Sequence, residues 1–433
     1  MRQLLLSEGA KELSYEIREI VKKADKISKL GQPIFWENIG DPIAKNFQLP
    51  DWIKDIVADT VKKNDSYGYC PSKGVLETRE FLADLNNKRG GVQITSEDIL
   101  FLNGLGDAIG KVYQFLRNTS RIIGPSPGYS THSSAESAHA HANPITYRLD
   151  PENHWYPDLD DLYLKIKYNP NIVGILIINP DNPTGMVYPL ETLKRIIAIA
   201  KEFNLFIISD EIYLNITYNG TRAYALSEVI RDVPGIAMKG ISKEFPWPGS
   251  RCGWMEYYNR NADPEFSRLC SAIDNSKMIE VCATKLPQLV IPKVMSDARY
   301  WPYRKALNER IGTKSSIISN ILSSVPQITF NPTFGAFYNT IIFRDGVLKP
   351  GQSMKIDNPQ IKSLVEGWVS ESDVQPDKRF VYYLLGAKGI CVVPISSFCS
   401  DLQGFRVTLL EENEELLVKI FTDIKEAILE YLA

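Results

Sequence analysis

Short, almost wholly apolar runs rich in isoleucine recur along the first half of the chain: Ile99-Leu100-Phe101-Leu102, Arg121-Ile122-Ile123, Ile172 to Ile178 and Leu205-Phe206-Ile207-Ile208. Strands covered on both faces read this way, because neither side of the pleat meets water. Between the last two runs Leu190, Leu193, Ile196, Ile197 and Ala200 recur at helical spacing, which predicts a helix from Pro189 to Phe203. Strands alternating with helices predict an α/β chain with a mostly parallel sheet, whose ligands collect beyond the carboxyl ends of the strands. From Lys293 to about Ser324 the pattern is long and helical. After it come Pro332, a strand at Gly335-Ala336-Phe337-Tyr338 and a terminal helix from Glu412 to Leu432, which predict a second, smaller α+β domain. The polar stretch Arg344 to Lys378 reads as an insertion with one helix, Pro359 to Ser370. No repeat or low-complexity segment interrupts the chain.

At 433 residues and 44% hydrophobic content the chain can bury a large core divided between two domains. A net charge of -3 and a pI near 6.0 supply no basic field for nucleic acid. No apolar run reaches the roughly 18 residues of a membrane span. The start, Met1-Arg2-Gln3-Leu4-Leu5-Leu6-Ser7-Glu8, has too short an apolar stretch for a signal peptide, so a cytoplasmic chain is expected. The six cysteines, Cys70, Cys252, Cys270, Cys282, Cys391 and Cys399, lack CxxC spacing and read as reduced thiols rather than a disulfide frame or zinc site. All four histidines fall between His132 and His154, and His139-Ala140-His141 alternates like a strand edge; no metal is expected.

The chemistry concentrates around Lys243, in Gly240-Ile241-Ser242-Lys243-Glu244-Phe245-Pro246-Trp247-Pro248-Gly249-Ser250-Arg251, which follows the strand ending in Ser209-Asp210-Glu211-Ile212-Tyr213. An amine, an acid and a fixed cation in this order suit a pyridoxal phosphate site. A lysine can hold the cofactor aldehyde, an aspartate can keep the ring nitrogen protonated, and an arginine can clamp the phosphate. Each residue also has a plainer reading. Lys243 alone is an ordinary surface lysine, Asp210 a helix cap or turn residue, and Asn182 part of a proline- and glycine-rich turn. Asn103-Gly104-Leu105-Gly106-Asp107-Ala108 is either a strand-to-helix turn or an anion site at a helix N-terminus. Tyr129, in Pro125-Ser126-Pro127-Gly128-Tyr129, suits a core aromatic equally well.

Taken together, the segment around Lys243 resembles the active-site lysine region of fold-type I aminotransferases, the family around aspartate and alanine aminotransferase. Asn179-Pro180-Asp181-Asn182-Pro183-Thr184-Gly185, Asp210-Glu211-Ile212-Tyr213 and Gly404-Phe405-Arg406 resemble further motifs of that family in the same order, and the resemblance runs from about Tyr15 to about Leu410. It implies a large domain, residues 45–300, with a mostly parallel seven-stranded sheet sandwiched by helices, an N-terminal arm, residues 1–44, and a small domain, residues 301–433. It further implies that Asn182 and Tyr213 donate to the phenolate oxygen of pyridoxal 5′-phosphate, that Tyr129 stacks on its ring, and that His132 stands behind Asp210. Arg251 and the Leu105 and Gly106 amides would hold the phosphate. Lys243 would act as general base, and Arg406 would take the substrate α-carboxylate with Gly40, in Asn38-Ile39-Gly40-Asp41-Pro42, and Asn182. Tyr69, in Tyr67-Gly68-Tyr69-Cys70-Pro71-Ser72-Lys73-Gly74, matches the tyrosine that reaches the neighbouring subunit's phosphate, which implies a homodimer with shared sites. One departure is Gly240, where many relatives carry a phosphate-binding serine; Ser242 or a water is left to substitute.

The expected activity is transfer of an amino group from an L-amino acid to a 2-oxo acid through two half reactions. Tyr69 to Gly74 and Trp155-Tyr156-Pro157-Asp158-Leu159-Asp160-Asp161 are most similar to the alanine (glutamate:pyruvate) branch. Tyr15-Glu16-Ile17-Arg18 is similar to the arm of that branch, where the arginine lies near the substrate; a solvated helix arginine is the alternative. Lyase, decarboxylase or cyclisation chemistry on the same scaffold is the nearest rival, since fold does not fix function. A cofactor-binding regulatory module is a more distant one.

Overall fold

The apolar runs pair into an eight-stranded sheet in the order Ile99–Leu102, Gly253–Tyr258, Gly235–Gly240, Phe206–Asp210, Ile172–Ile178, Arg121–Ser126, Thr146–Asp150 and Tyr156–Pro157. The structure, a computed structural model, describes residues 8–12 and 17–433; Tyr15 and Glu16 of the arm motif lie outside them. Neighbours from Gly235–Gly240 to Thr146–Asp150 run parallel, and Gly253–Tyr258 runs antiparallel to both of its neighbours. The strand beyond the expected seven is the two-residue antiparallel edge Tyr156–Pro157. It is too short to leave a period in the sequence, and a turn over Pro151–Asn153 delivers it.

Pleat alternation divides the sheet residues between two cores. Ile123, Ile175, Ile177 and Ile207 face a cluster that includes Leu193, Ile196 and Ile197 of the helix Leu190–Glu202. Ile122, Leu176, Ile178 and Ile208 face the other, with Ala108, Ile109 and Val112 of Leu105–Phe115 and with Phe266, Leu269 and Ile273 of Pro264–Ile279. Both faces are dry. That is the physical reason the strands read as unbroken apolar runs.

A second, antiparallel sheet orders Ile328–Phe330, Tyr338–Phe343, Gly404–Thr408 and Val393–Pro394. The strand expected at Gly335 to Tyr338 starts only at Tyr338. Ala336 takes φ 52°, and Gly335 forms a lone bridge to Thr217, so the chain turns before it pairs. Ile20, Ala24 and Ile27 of the helix Ile17–Ser28 join a third core with Phe380 and Leu384 of Pro376–Lys388 and Ile420, Phe421 and Ile424 of Glu414–Leu432. The stretch Arg344 to Lys378 carries the helix Pro359–Val369 and the start of a second, Pro376–Lys388. Ile361, Val365 and Trp368 bury the first against that third core.

Two sequence readings are corrected. The long helical pattern after Lys293 is two helices, Lys285–Met295 and Tyr300–Leu322, broken where the Asp297 carboxylate accepts from the Arg299 amide. His139 and His141 are not at a strand edge: His139 lies in the last turn of the helix Ser130–Ala140, and His141 caps it at φ 54°. Two alternating residues are too few to separate a strand from the end of a helix. Among the described residues no helix is long and apolar enough to cross a membrane.

Behind the carboxyl ends of the central strands lies a buried ion cluster. Lys239 Nζ lies 2.7 Å from Glu256 Oε2 and 3.4 Å from Glu211 Oε2, all three side chains being nearly inaccessible. Burial opposes the Lys239 charge, but the two carboxylates outweigh it and raise its pKa above the ordinary lysine value. Replacing Lys239 with alanine strands both carboxylates. The expected loss is about 3–5 kcal/mol of stability, read as a fall in the urea midpoint at constant m-value; an unchanged midpoint contradicts this account.

Candidate functional site

The carboxyl ends of the strands Ile172–Ile178 and Phe206–Asp210 and the turn after Gly235–Gly240 open onto a cavity of about 480 Å³. It is lined by Asn38, Gly40, Leu105, Gly106, Tyr129, Asn182, Asp210, Tyr213, Ser242, Lys243, Arg251 and Arg406, residues brought together from most of the chain length. Arg18, exposed on its helix, also lines it. Tyr69 does not; it is 82% exposed on the surface.

Asp210 is the last residue of its strand and is buried. His132 Nε2 lies 3.1 Å from its Oδ2, and the Ile212 amide donates to Oδ1 at 3.1 Å. Both oxygens are therefore held, and the carboxylate cannot rotate freely. The Tyr129 ring meets the His132 ring edge-on, with centroids 6.3 Å apart.

Lys243 sits in the single helical turn Ile241–Glu244, directly after the strand Gly235–Gly240. Its amine donates to Gly40 O and stands 5.6 Å from the Phe337 ring centroid. The side chain is only half-buried by exposure because the cavity is open, yet protein surrounds the amine. That desolvation, with Arg406 and Arg251 adding to it and Asp41 opposing it, lowers its pKa to about 8. A lysine of this kind exchanges protons close to neutrality.

Two cationic features bear on this amine, one at Arg251 and one at Arg406. At one, Gly104 takes φ 87° and starts the helix Leu105–Phe115. A Cβ there would meet Arg251 Nη2 at 2.6 Å, so the glycine is what lets the guanidinium close over the helix N-terminus. Asp107 and Ala108 amides return to Gly104 O, while the Leu105 and Gly106 amides precede them at the positive end of the helix. Arg251 spends single donors on Pro248 O at 3.2 Å and Asn103 O at 3.5 Å. The absence of a serine at Gly240 has a steric cause: a Cβ would meet Cys252 O at 2.9 Å and Leu105 Cδ1 at 3.1 Å.

At the other, Arg406 is buried in the middle of Gly404–Thr408. Its Nη1 donates to Asn182 Oδ1 at 3.2 Å and its Nη2 to Asn38 O at 2.6 Å, while Nε finds no acceptor among the described residues. With Oδ1 engaged, Nδ2 is the Asn182 atom left to donate elsewhere. Three contributors escaped the sequence reading. Tyr338 packs 4.4 Å beneath the Arg406 guanidinium and shares a 3.1 Å hydroxyl contact with Tyr213; it also fills the space above Gly40, where a Cβ would lie 2.0 Å from its oxygen. Asn38 acts through its carbonyl, and Asp41 through its charge on Lys243. Asn38 and Asp41 flank the quoted Gly40, but nothing in their spacing marks these contacts; Tyr338 meets Arg406 only through the pairing of their strands, Tyr338 with Thr408 and Thr340 with Arg406.

Comparison with known proteins follows the same lines. Residues 38–420 match the family model described as aminotransferase class I and II. The chain is 54% identical to an uncharacterized aminotransferase of Methanocaldococcus jannaschii over 432 residues, covering 100% of each. A glutamate-pyruvate aminotransferase of Escherichia coli strain K12 is 35% identical over 244 residues, 56% of this chain and 59% of that one. The solved structure of an alanine aminotransferase from Pyrococcus furiosus superposes with a TM-score of 0.84 at 28% identity, covering 98% of this chain and 100% of that one. Class I and II aminotransferases as a family depend on pyridoxal phosphate. Because the family match spans most of the chain and the full-length relative carries the same activity in its name, this chain belongs to the class I and II aminotransferases of fold type I, and its reaction is transamination.

Proposed function

We propose that this cavity binds pyridoxal 5′-phosphate and that the enzyme moves the amino group between an L-amino acid and a 2-oxo acid of the alanine–glutamate type. One observation carries the reading: an amine with a pKa of about 8 shares its cavity with a doubly held carboxylate and two arginines. The donor set fits the cofactor. Lys243 would hold its aldehyde and Asp210 its ring nitrogen. Asn182 and Tyr213 would meet the phenolic oxygen, and the Tyr129 ring the ring face. Arg251, Ser242 and the Leu105 and Gly106 amides would take the phosphate. Pyridoxal phosphate, when bound, supplies a protonated ring that withdraws electrons from the bonds at the substrate Cα.

The protein's own groups then have separable tasks. Asp210, fixed by His132 and the Ile212 amide, keeps a proton on the nitrogen that faces it. Lys243 Nζ, held near neutrality, takes the Cα proton and returns it one carbon away. Arg406 orients the substrate carboxylate with a planar fork that a lysine could not imitate. The alanine–glutamate assignment rests on the names of the Escherichia coli and Pyrococcus relatives and on the Tyr69 to Gly74 segment. A homodimer with Tyr69 reaching the neighbouring site accounts for an exposed apolar surface. Tyr67 and Tyr69 are 73% and 82% exposed, Met278 and Ile279 57% and 87%. The two segments adjoin through Lys285 Nζ on Asp65 O and Cys70 Sγ on Ala283 O.

The Lys243→Ala enzyme is expected to lose transamination and the borohydride-reducible link between cofactor and protein; a link retained on another lysine sinks the assignment. In cofactor-free wild type, acylation of Lys243 followed by peptide mass spectrometry should rise with pH and reach half its plateau near pH 8, because only the neutral amine reacts. A midpoint near 10.5, the unshifted lysine value, would show that burial leaves the amine unaffected.

Arg406→Ala should lower kcat/KM for alanine and glutamate alike by roughly 2 to 4 kcal/mol. Arg18→Ala should impair glutamate and 2-oxoglutarate selectively and spare alanine. Equal kinetics for both donors in the Arg18 variant and wild type return Arg18 to a solvated helix position.

Separately purified Tyr69→Phe and Lys243→Ala enzymes should regain activity when mixed under conditions of subunit exchange, since one site of the mixed dimer then carries neither substitution. Demonstrated exchange without recovery excludes the shared site.

A further inference from the structure

A hollow of about 590 Å³, separate from the catalytic cavity, lies between residues 214–223, which follow Tyr213, and the helix Tyr300–Leu322. Its wall carries four cations, Arg89, Arg222, Arg304 and Lys305, against one carboxylate, Glu309. Arg222 is committed to Glu228 outside the wall, and Lys305 stands 3.9 Å from Glu309. Arg89 and Arg304 appear in no ion pair among the described residues, although the Arg89 charge reaches the buried Glu211 on the side away from the hollow, and it is these two, Arg304 above all, that give the hollow its character.

Arg304 is 1% exposed, one of the largest fully buried side chains in the protein. Its Nη2 donates to Asn308 Oδ1 at 3.0 Å and to Asn215 O at 3.3 Å, while Nε and Nη1 have no acceptor among the described residues. Neutral amides alone compensate a desolvated guanidinium poorly, and two idle donors on one fork make the deficit larger. Arg89 stands on the same residue, at its side chain: its Nη2 donates to Asn215 Oδ1 at 2.8 Å. One asparagine thus bridges two like charges. An oxyanion relieves both defects, because it offers the fork two parallel acceptors and screens the two cations from each other.

We propose that this hollow is a binding site for a small oxyanion ligand, a phosphate- or carboxylate-bearing metabolite, held by Arg304, Arg89 and Lys305. The wall is built from the catalytic neighbourhood. Asn215 lies two residues after Tyr213, and its Nδ2 donates at 2.8 Å to Glu244, the residue next to Lys243.

The test is isothermal titration of the holoenzyme with pyrophosphate and, separately, with citrate, at an ionic strength fixed by potassium chloride. Filling the cofactor site beforehand removes its phosphate pocket from the measurement. One saturable event per chain is expected with at least one probe, and the stronger probe identifies the head group as phosphate or carboxylate. Arg304→Met, an apolar replacement of similar length, and Arg89→Gln should each weaken that event about tenfold or more, with cofactor absorbance intact and kcat within about twofold of wild type. Arg406→Ala should leave it unchanged, since that substitution empties only the catalytic carboxylate position. If Arg304→Met does not fold, Arg89→Gln decides alone. The proposal is overturned by no saturable binding of either probe, by binding that survives the Arg304 and Arg89 substitutions, or by binding lost with Arg406→Ala.

Discussion

Arg406 is stripped of water by its burial in the small sheet, and the compensation for that burial organises the cavity. Among the described residues the guanidinium has no carboxylate partner. It is met by Asn182 Oδ1 from the large sheet's loop, by Asn38 O from the N-terminal segment, and by the ring faces of Tyr338 at 4.4 Å and Phe398 at 5.2 Å. Losing water from such a cation costs several kcal/mol unless acceptors are fixed around it. Segments distant in sequence are therefore pinned to one point, and the two sheets that carry them are pinned with them. Tyr338, held beneath the cation, in turn positions the Tyr213 hydroxyl and closes the space over Gly40.

The same arginine acts on Lys243 at a distance. Burial lowers the amine pKa first, and Arg406 and Arg251 lower it further, while Asp41 opposes them. Both arginines are the sites where anions are expected to sit. An anion on either one cancels part of its field, so the amine's affinity for a proton should rise as the cavity fills. In the role proposed for it, the lysine would then be least basic when it must be a neutral nucleophile and more basic when a proton has to be taken from carbon. No movement of the lysine is required for this change; it follows from charge placement alone.

How much of this was legible in the sequence divides by the range of the interaction. The strand runs around Ile175 and Ile207 and the helix at Leu193 were readable because one period describes each and burial on both faces is a local pattern. Lys243, Asp210, Asn182, Tyr213, Arg251 and Arg406 were readable as motifs, and the structure brings all six to one cavity. The two-residue edge at Tyr156 was not, because its pairing depends on a partner strand. Neither was the start of the strand at Tyr338, set by a positive φ at Ala336 that the apolar sequence conceals. Asp41 and Asn38 act through charge at a distance and a main-chain carbonyl, which no residue pattern encodes. The metal-free, reduced-thiol reading of composition was of a different kind, resting on spacing that is missing rather than present.

Asp210 and Lys243 are each followed in sequence by a buried carboxylate that does different work. Glu211, after Asp210, accepts from Ser209 Oγ and the Leu226 amide and faces Lys239. Glu244, after Lys243, accepts from the Tyr300 hydroxyl and from Asn215 Nδ2. Adjacent residues leave an extended strand on opposite sides, so a chain that points Asp210 into the cavity necessarily points Glu211 away from it. The Asp-Glu pair in the motif is thus two functions in series: one carboxylate faces the chemistry, and the other anchors the backbone that aims it. Anchoring on both sides of the active lysine and aspartate explains why a site open to solvent can hold its reactive groups still. Asp210 and Lys243 are fixed from behind, through the buried carboxylates of Glu211 and Glu244.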